Sequence, residues 1–294
     1  MLGTATQENA KSDAIWGSSN VAALREQQET DFGLLGPNEF KMPTEQGKWE
    51  NVTSNSAKVL GNKIIGLLSS SWLQLYIDVD DDTRKKRKKI SNTEKLALGC
   101  IWLADKTLTS VPSGKRIQSS LATYAPAKGG TAKMVYLVEE DDKLIPDIRV
   151  FDPMMCQWIE GESEILWFCY RNYVSETYIK RVYEKQIADG LTYTKDAGTG
   201  RILTRTFWDG DEWKVSVGDS KDWVDGDKHG LGYVPVNIRS CGAIPYIQSE
   251  KYPDSMKYSF QGMFANDREM YDLEHKLASI AYSKSLESGK IKAA

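Results

Sequence analysis

The sequence predicts an α+β protein in which long helices flank a middle region rich in antiparallel strands. Apolar residues recur every three or four positions after residue 53 and again after residue 258, which is the spacing of amphipathic helices. Between these stretches lie short segments rich in Val, Ile, Tyr, Trp and Phe, separated by polar turns. Turns this short favour antiparallel hairpins, because parallel strands need a longer crossover connection.

The first 52 residues predict a loosely ordered N-terminal arm. They are polar, with scattered Gly and Pro and few apolar runs. One short helix is predicted within "WGSSNVAALREQQET", where "SSN" offers caps. A folded α+β domain is then expected over residues 53–257, and a separate helical segment over residues 258–294.

Two amphipathic helices are predicted at the start of this domain. The first begins after the caps in "TSNS", and its apolar stripe consists of Leu60, Ile64, Leu68, Trp72 and Leu75. The second is predicted from Asn92 or Thr93 to Thr109, ended by Pro112 and Gly114. Its inward-facing residues are predicted to be Leu96, Cys100, Leu103 and Leu108.

The middle of the chain is predicted to form seven strands joined by polar turns. "EEDDK", "EGES" and "WDGDEW" are turn sequences, and Asp209-Gly210 is a strong tight-turn signal. The strands are "KMVYLVE", "IPDIRVF", "MMCQWIE", "EILWFCYRNY", "TYIKRVYEK", "RILTRTFW" and "EWKVSV".

The C-terminal part contains one more extended segment, "LGYVPVNIRSCGAIPY", and a long helix from about Tyr258. Apolar positions in this helix follow a 3-4-3-4-3 spacing, as in a coiled-coil seam. The seam consists of Met263, Asn266, Met270, Leu273, Leu277 and Ile280. Two interpretations stay open: the helix packs on its own domain, or it packs against a neighbouring helix or subunit.

Composition and cysteine spacing predict a soluble intracellular protein. The chain has 294 residues, is 40% hydrophobic and 27% charged, and carries a net charge of −3. Contact with nucleic acid is therefore expected to be local or loose, since proteins that coat phosphates carry a broad basic face. Neither a signal peptide nor a membrane span is predicted. Four cysteines without a CxxC pair are expected to be buried thiols: Cys100, Cys156, Cys169 and Cys241.

The sequence offers few signals for catalysis or cofactor binding. There is no GxSxG, and "PSGKR" lacks the first Gly of a nucleotide-binding loop. His229 and His275 are predicted to be surface or interface histidines rather than bases. Carboxylate pairs at turns, such as Asp209 with Asp211 and Glu160 with Glu162, are predicted to be structural. We therefore expect no catalytic residue, metal or cofactor, although a hydrolase with a carboxylate pair stays open.

The main charge cluster of the sequence is "DVDDDTRKKRKK", residues 78–89. An EF-hand loop would need Gly and Glu where Thr83 and Lys89 stand, so a calcium site is not predicted. The basic half is expected to form solvated ion pairs, to contact nucleic acid or another acidic partner, or to be a nuclear signal. The candidate interface or DNA-proximal residues are Asp80, Asp81, Asp82, Arg84, Lys85, Lys86, Arg87, Lys88 and Lys89.

Three stretches, taken in order, resemble the portal protein family of tailed phages. Residues 55–77, "NSAKVLGNKIIGLLSSSWLQLYI", resemble the family's early wing helix. Residues 129–174 resemble its wing hairpins, with "VFDP", a turn at Gly161 and a returning aromatic strand. Residues 231–283 resemble its "G-x-x-P-V" strand, here "GYVPV", followed by the helix that leads into the stem.

This resemblance implies a structural subunit without catalysis of its own. Portal proteins form a ring, usually of twelve copies, at one capsid vertex of the virion, and are assembled in the cytoplasm of the infected bacterium. Double-stranded DNA passes through the ring, and the partners are the terminase, the capsid and tail-adaptor proteins, with no membrane. The chain stops near where the stem is expected to develop. In such a ring, Asp78–Asp82 of one subunit are expected to pair with Arg84–Lys89 of the next. A non-enzymatic phage or host adaptor is the alternative.

Overall fold

The computed structural model confirms an α+β fold with antiparallel sheets. It describes residues 5–36, 40–42, 49–71, 87–112, 114–140, 143–242 and 255–287. By its internal contacts the chain divides into two compact units, each discontinuous in sequence. Unit 1 comprises Met1–Ala22, Cys100–Ala104 and Ala132–Arg239, and unit 2 comprises Ala23–Gly99, Asp105–Thr131 and Ser240–Ala294. The predicted boundaries after residues 52 and 257 stay predictions.

The helices of the described residues are distributed along the whole chain. They are α1 Thr6–Gly17, α2 Ser19–Leu35, α3 Ser56–Ser70, α4 Arg87–Leu108, α5 Ile117–Lys128, α6 Glu176–Val182, α7 Glu184–Ala188, α8 Ser255–Ser259 and α9 Arg268–Glu287.

The strands form two sheets, of order β2-β1-β8 and β3-β4-β5-β6-β7. The paired neighbours β1–β2 and β3 through β7 are antiparallel, as the short turns predicted. The strands are β1 Gly130–Glu140, β2 Lys143–Phe151, β3 Cys156–Glu160, β4 Ile165–Val174, β5 Ile202–Trp208, β6 Glu212–Val217, β7 Asp225–Lys228 and β8 Val236–Ser240.

The core of unit 1 lies between these sheets. Met134 of β1 and Phe151 of β2 pack with Phe168 of β4 and Trp208 of β5, and all four side chains are buried. The rings of Phe151 and Phe168 lie 5.4 Å apart. Alternate residues of each strand point to one face, and the residues on the inner faces supply this core.

The predicted strand "TYIKRVYEK" is wrong, because these residues form α6 and the start of α7. The Ser175 hydroxyl accepts a hydrogen bond from the Tyr178 N–H and so caps α6. Ile179 and Tyr183 lie four residues apart and are both buried against the five-stranded sheet. Helical spacing and a cap therefore override the strand propensity of Tyr, Ile and Val.

The predictions for α4 are correct in type and wrong in detail. The helix begins at Arg87, inside the basic run, and not at Asn92 or Thr93. It ends at Leu108, before Pro112 as predicted. The expected inward residues Leu96 and Leu103 are exposed. Among the side chains described from residue 91 onward in this helix, the buried one is Ala104, whose methyl group permits closer packing than a leucine.

The N-terminal arm is helical where the structure describes it up to residue 36, so the predicted loose order is wrong there. Two helices, α1 and α2, replace the one short helix that was predicted. Their buried residues are largely polar, among them Ser12, Gln28 and Asp31. An apolar periodicity search misses such helices, because hydrogen bonds and ion pairs rather than apolar area hold them in place.

Helix α5 and strand β7 were not predicted. Helix α5 ends at Gly129, which has a left-handed φ of 67° and would place a Cβ 2.2 Å from the Phe260 carbonyl oxygen. Within unit 2, α5 is tied to the end of α3 by a 3.0 Å hydrogen bond from Gln118 Nε2 to the Leu68 carbonyl.

The cysteines match their prediction in part. All four are free thiols, and Cys156 and Cys169 are buried as expected. Cys241 is exposed, which contradicts the prediction. Burial raises the pKa of Cys169 to about 12, and partial desolvation raises the pKa of Cys241 although its side chain reaches solvent.

Candidate subunit interface

The predicted charge cluster lies mostly outside the described residues. This holds for Asp80–Asp82 and Arg84–Lys86. Arg87, Lys88 and Lys89 form the first turn of α4, so the basic run continues into this helix rather than serving only as a link. Whether these residues pair with acidic groups stays a prediction.

Helix α9 of unit 2 has an exposed apolar stripe, which we call the outer stripe. It consists of Met270, Leu273 and Leu277, of which 56, 55 and 58% of the surface is exposed. These residues belong to the seam that the sequence predicted. These three residues are therefore not core positions of their own unit, and packing of the helix against a neighbouring helix or subunit stays a prediction.

The opposite face of α9 is buried and carries mostly polar side chains at every fourth position: Tyr271, His275, Ser279 and Ser283. An extended segment, residues 49–54, runs along this face. Every second backbone N–H of this segment donates a hydrogen bond to the helix. The Glu50 N–H donates to Ser283 Oγ at 2.8 Å, and the Val52 N–H donates to Ser279 Oγ at 2.9 Å. The Ser54 N–H donates to His275 Nδ1 at 2.9 Å.

These three hydrogen bonds form a regular arrangement that we call the polar ladder. Two extended residues rise about 6.6 Å and four helical residues rise about 6 Å, so the two periods match over this length. His275 is buried, so its predicted surface or interface location is wrong. Its Nδ1 atom accepts a backbone hydrogen bond, which assigns the histidine a structural role.

Glu274 joins the polar ladder to the start of α3. Its carboxylate accepts hydrogen bonds from the hydroxyls of Ser54 and Ser56. The bond from Ser54 is the largest cause of the lowered pKa of Glu274, followed by that from Ser56. A carboxylate at this position also interacts favourably with the N-terminus of α3. The polar ladder and the hydrogen bonds to Glu274 together fix the orientation of α9.

Further apolar residues are exposed on α3 and α4. Of the predicted stripe of α3, Leu60 and Leu68 are exposed, while Ala57 and Gly61 are buried. Trp72 and Leu75 of that stripe lie outside the described residues. The exposed apolar residues of the two helices are Val59, Leu60, Leu67, Leu68, Leu96, Leu98, Trp102 and Leu103.

A cavity of about 620 Å³ lies within unit 2, beside the polar ladder. Thr30, Phe40, Lys58 and Arg268 are among its lining residues. Arg268 is held by the buried carboxylate of Asp31, to which it donates two hydrogen bonds. The lining therefore holds cations and carboxylates in balance, and the charge of Arg268 is already paired with Asp31.

The predicted structural role of turn carboxylates is confirmed at Asp209, and for Asp211, Glu160 and Glu162 it stays a prediction. Asp209 Oδ1 accepts hydrogen bonds from the backbone N–H groups of Asp211 and Glu212 at 2.8 and 2.9 Å, which stabilises the β5–β6 turn. His229 Nε2 lies 3.1 Å from the carbonyl oxygen of Asp209. Within the described residues, no group of three or more His, Cys, Asp or Glu side chains is arranged to hold a metal ion.

An ionic cluster in unit 1 was missed by sequence analysis. Asp13 of α1 accepts hydrogen bonds at 2.8 Å from both Arg171 of β4 and Arg205 of β5. The arginine side chains are 6 and 4% exposed, whereas that of Asp13 is 54% exposed. The available signal was an arginine in the middle of each apolar strand, which needs a counter-charge when buried.

No protein-family model matches this chain, and a search of curated proteins gives no significant match. Of the helices in the described residues, none is long and apolar enough to cross a membrane.

Proposed function

We propose that this chain is a structural subunit of a phage portal ring, through which double-stranded DNA is packaged and ejected. The first support is the order of the stretches that resemble the portal family, residues 55–77, 129–174 and 231–283. In the described part of the chain, the first contains helix α3, the second contains four antiparallel strands, and the third contains β8 and α9.

The observation that carries the proposal is the outer stripe of α9. A monomer gains nothing by exposing Met270, Leu273 and Leu277, whereas a neighbouring copy would remove them from water. If the stripe of one copy packs on a different surface of the next copy, the contact is head-to-tail, and repeated head-to-tail contacts close into a ring when the rotation between copies allows it. The 3-4 spacing of the stripe suits packing against another helix.

The charge balance is compatible with a DNA conduit. With a net charge of −3, the chain is not expected to bind phosphates strongly over a broad surface. Weak contact lets DNA slide, and a separate terminase would supply the driving force. On this proposal the subunit resides at a capsid vertex, where it also meets capsid and tail-adaptor proteins.

Assembly state tests the proposal directly. Mass photometry and negative-stain electron microscopy of the purified chain are expected to show a closed ring of many copies, with twelve as the family's usual number. The double substitution Leu273→Glu and Leu277→Glu places charge in the outer stripe. This variant is expected to shift the mass distribution to single copies while its circular dichroism spectrum stays unchanged.

Leu166→Glu is the matched control, because Leu166 on β4 is exposed to a similar extent. This variant is expected to assemble like the unmodified chain. A chain that stays monomeric at high concentration contradicts the ring and favours the adaptor alternative. Equal loss of assembly in both variants would show that the outer stripe is not the specific contact.

A further inference from the structure

One face of the five-stranded sheet in unit 1 forms a receptor for a helix, which we call the α1 dock. Arg171 pairs with Arg205 across β4 and β5, and Arg205 pairs with Ser216 across β5 and β6. Directly paired residues point to the same face, so these three side chains form one polar row. Gln157 and Cys169, also paired, form the adjacent row. Helix α1 covers both rows.

The contacts between α1 and its dock are specific and largely polar. Ser216 Oγ donates to Asn9 at 2.7 Å, Ser12 Oγ donates to Gln157 at 2.6 Å, and both arginines donate to Asp13. The Trp16 ring lies 4.5 Å from the Arg171 guanidinium. The α1 residues in these contacts are spaced three, one and three apart, as one helical face requires.

Charge complementarity identifies the helix that fits the dock. Two guanidinium groups lie almost fully buried against the sheet, and in the described part of the chain Asp13 is the carboxylate that bonds to both. Nε of each arginine is buried without a hydrogen-bond partner among the described atoms. A dock with this charge requires an acidic helix with Asn, Ser and Asp at matching positions, and the sequence of α1 meets that requirement.

The connection between α1 and α2 is a single non-helical residue, Ser18, with φ −64° and ψ 146°. Its N–H and its hydroxyl both bond to the Ile15 carbonyl, at 3.1 and 2.8 Å. A helical ψ at this one residue would join α1 and α2 into one continuous helix and carry α1 away from its own dock. A single-residue hinge of this kind is typical of segments that exchange between copies.

We propose that the α1 dock also accepts α1 from a second copy of this chain, so that copies exchange their N-terminal helices. The contacts are the same within one chain and between two chains, and only the hinge differs. Protein concentration and the hinge residue therefore decide the proportion of exchanged copies. The exchange requires two copies and does not depend on ring formation.

Native Cys169 provides the test, because its Sγ lies 3.7 Å from Ser12 Oγ. A tagged donor chain carries Ser12→Cys with Cys169→Ser, and an untagged acceptor keeps both native residues. Exposed Cys241 is changed to Ser in both chains. After mixing and mild oxidation, a disulfide between donor position 12 and acceptor Cys169 is expected, identified by peptide mass spectrometry, and its yield is expected to rise with concentration.

Two hinge variants sharpen the test. Ser19→Pro is compatible with the observed bend between α1 and α2, because Ser19 is the first residue of α2 and Ser18 before it is already extended. The same proline would break a helix that continued from α1 into α2. It is expected to lower the cross-chain yield about tenfold. Ser18→Ala removes the hydrogen bond from the Ser18 hydroxyl to the Ile15 carbonyl and favours a continuous helix through residue 18. A several-fold higher yield of the cross-chain disulfide is therefore expected.

The control chain carries Ser12→Cys alone and is expected to close the disulfide with its own Cys169. If this control closes but no cross-chain disulfide forms at any concentration, the proposal is overturned. Equal yields with and without Ser19→Pro also overturn it, because chance collision does not depend on the hinge. Should Ser12→Cys fail to fold, Asn9→Cys in the donor and Ser216→Cys in the acceptor give a second pair, whose native side chains bond at 2.7 Å.

Discussion

Removing the carboxylate that bridges the two buried arginines of unit 1 is the sharpest test of its packing. In Asp13→Ala, Arg171 and Arg205 keep their buried positions and lose their shared counter-charge. Breaking a fully buried pair costs about 3–5 kcal/mol. Because 54% of the Asp13 side chain is exposed, solvent screens the interaction, and we expect about 2 kcal/mol.

The pH dependence of this effect follows from the sign of the pKa shift. Burial acts to raise the pKa of Asp13, but the hydrogen bonds from Arg171 and Arg205 outweigh it, so the pKa lies below its ordinary value. A carboxyl group whose pKa is lower in the folded state than in the unfolded state stabilises the fold at pH values above its unfolded-state pKa. This stabilisation is lost as the pH falls through the folded-state pKa. The difference between Asp13→Ala and the unmodified chain is therefore expected to be full at pH 7 and to shrink below pH 4.

Thermal unfolding followed by tryptophan fluorescence measures the effect. A loss of about 2 kcal/mol corresponds to a Tm decrease of roughly 6 °C for a unit of this size. Asp222→Ala, at an exposed carboxylate of the same unit, is the control and is expected to change stability by less than about 0.5 kcal/mol. Adding Arg205→Met to Asp13→Ala should recover part of the loss. A Tm unchanged by Asp13→Ala would refute the role of this carboxylate.

Three further predictions follow from individual side chains. Ser175→Ala removes the cap of α6 and is expected to destabilise unit 1 by about 1 kcal/mol in urea unfolding; an unchanged midpoint would contradict the cap. Ser54→Ala removes the main cause of the lowered pKa of Glu274, so its NMR titration midpoint is expected to rise; a fixed midpoint would assign the shift elsewhere. Thiol labelling at pH 8 is expected to modify exposed Cys241 well before Cys169, whose pKa is raised to about 12 by burial. Labelling of Cys169 at the rate of Cys241 would show that α1 does not cover it.

The strands were predictable because their signal is local. Enrichment in Val, Ile, Tyr, Trp and Phe predicts the strands β1, β2 and β4, and the short turns predict their pairing. Helix α6 was misassigned because Tyr, Ile and Val favour strands, although Ser175 and the spacing of Ile179 and Tyr183 pointed to a helix. Propensity is weaker evidence than a cap combined with spacing.

The ionic cluster and the polar ladder could not be predicted from local pattern. Asp13 lies 158 and 192 positions from the two arginines that it bonds. The buried face of α9 consists mainly of residues that usually face solvent, and only the backbone of residues 50–54 makes their burial favourable. Sequence analysis therefore found the outer stripe of α9 but could not determine its direction.

Energetics explain why α9 exposes its apolar stripe. Turning the helix by half a turn would bury Met270, Leu273 and Leu277, each already about half buried, and would gain roughly 1 kcal/mol for each residue. The same turn would remove three hydrogen bonds between partly buried backbone N–H groups and buried side chains of α9, at about 1–3 kcal/mol each. The polar ladder therefore outweighs the outer stripe within one copy. Only a contact that leaves the ladder intact, such as packing against another chain, can bury the stripe as well.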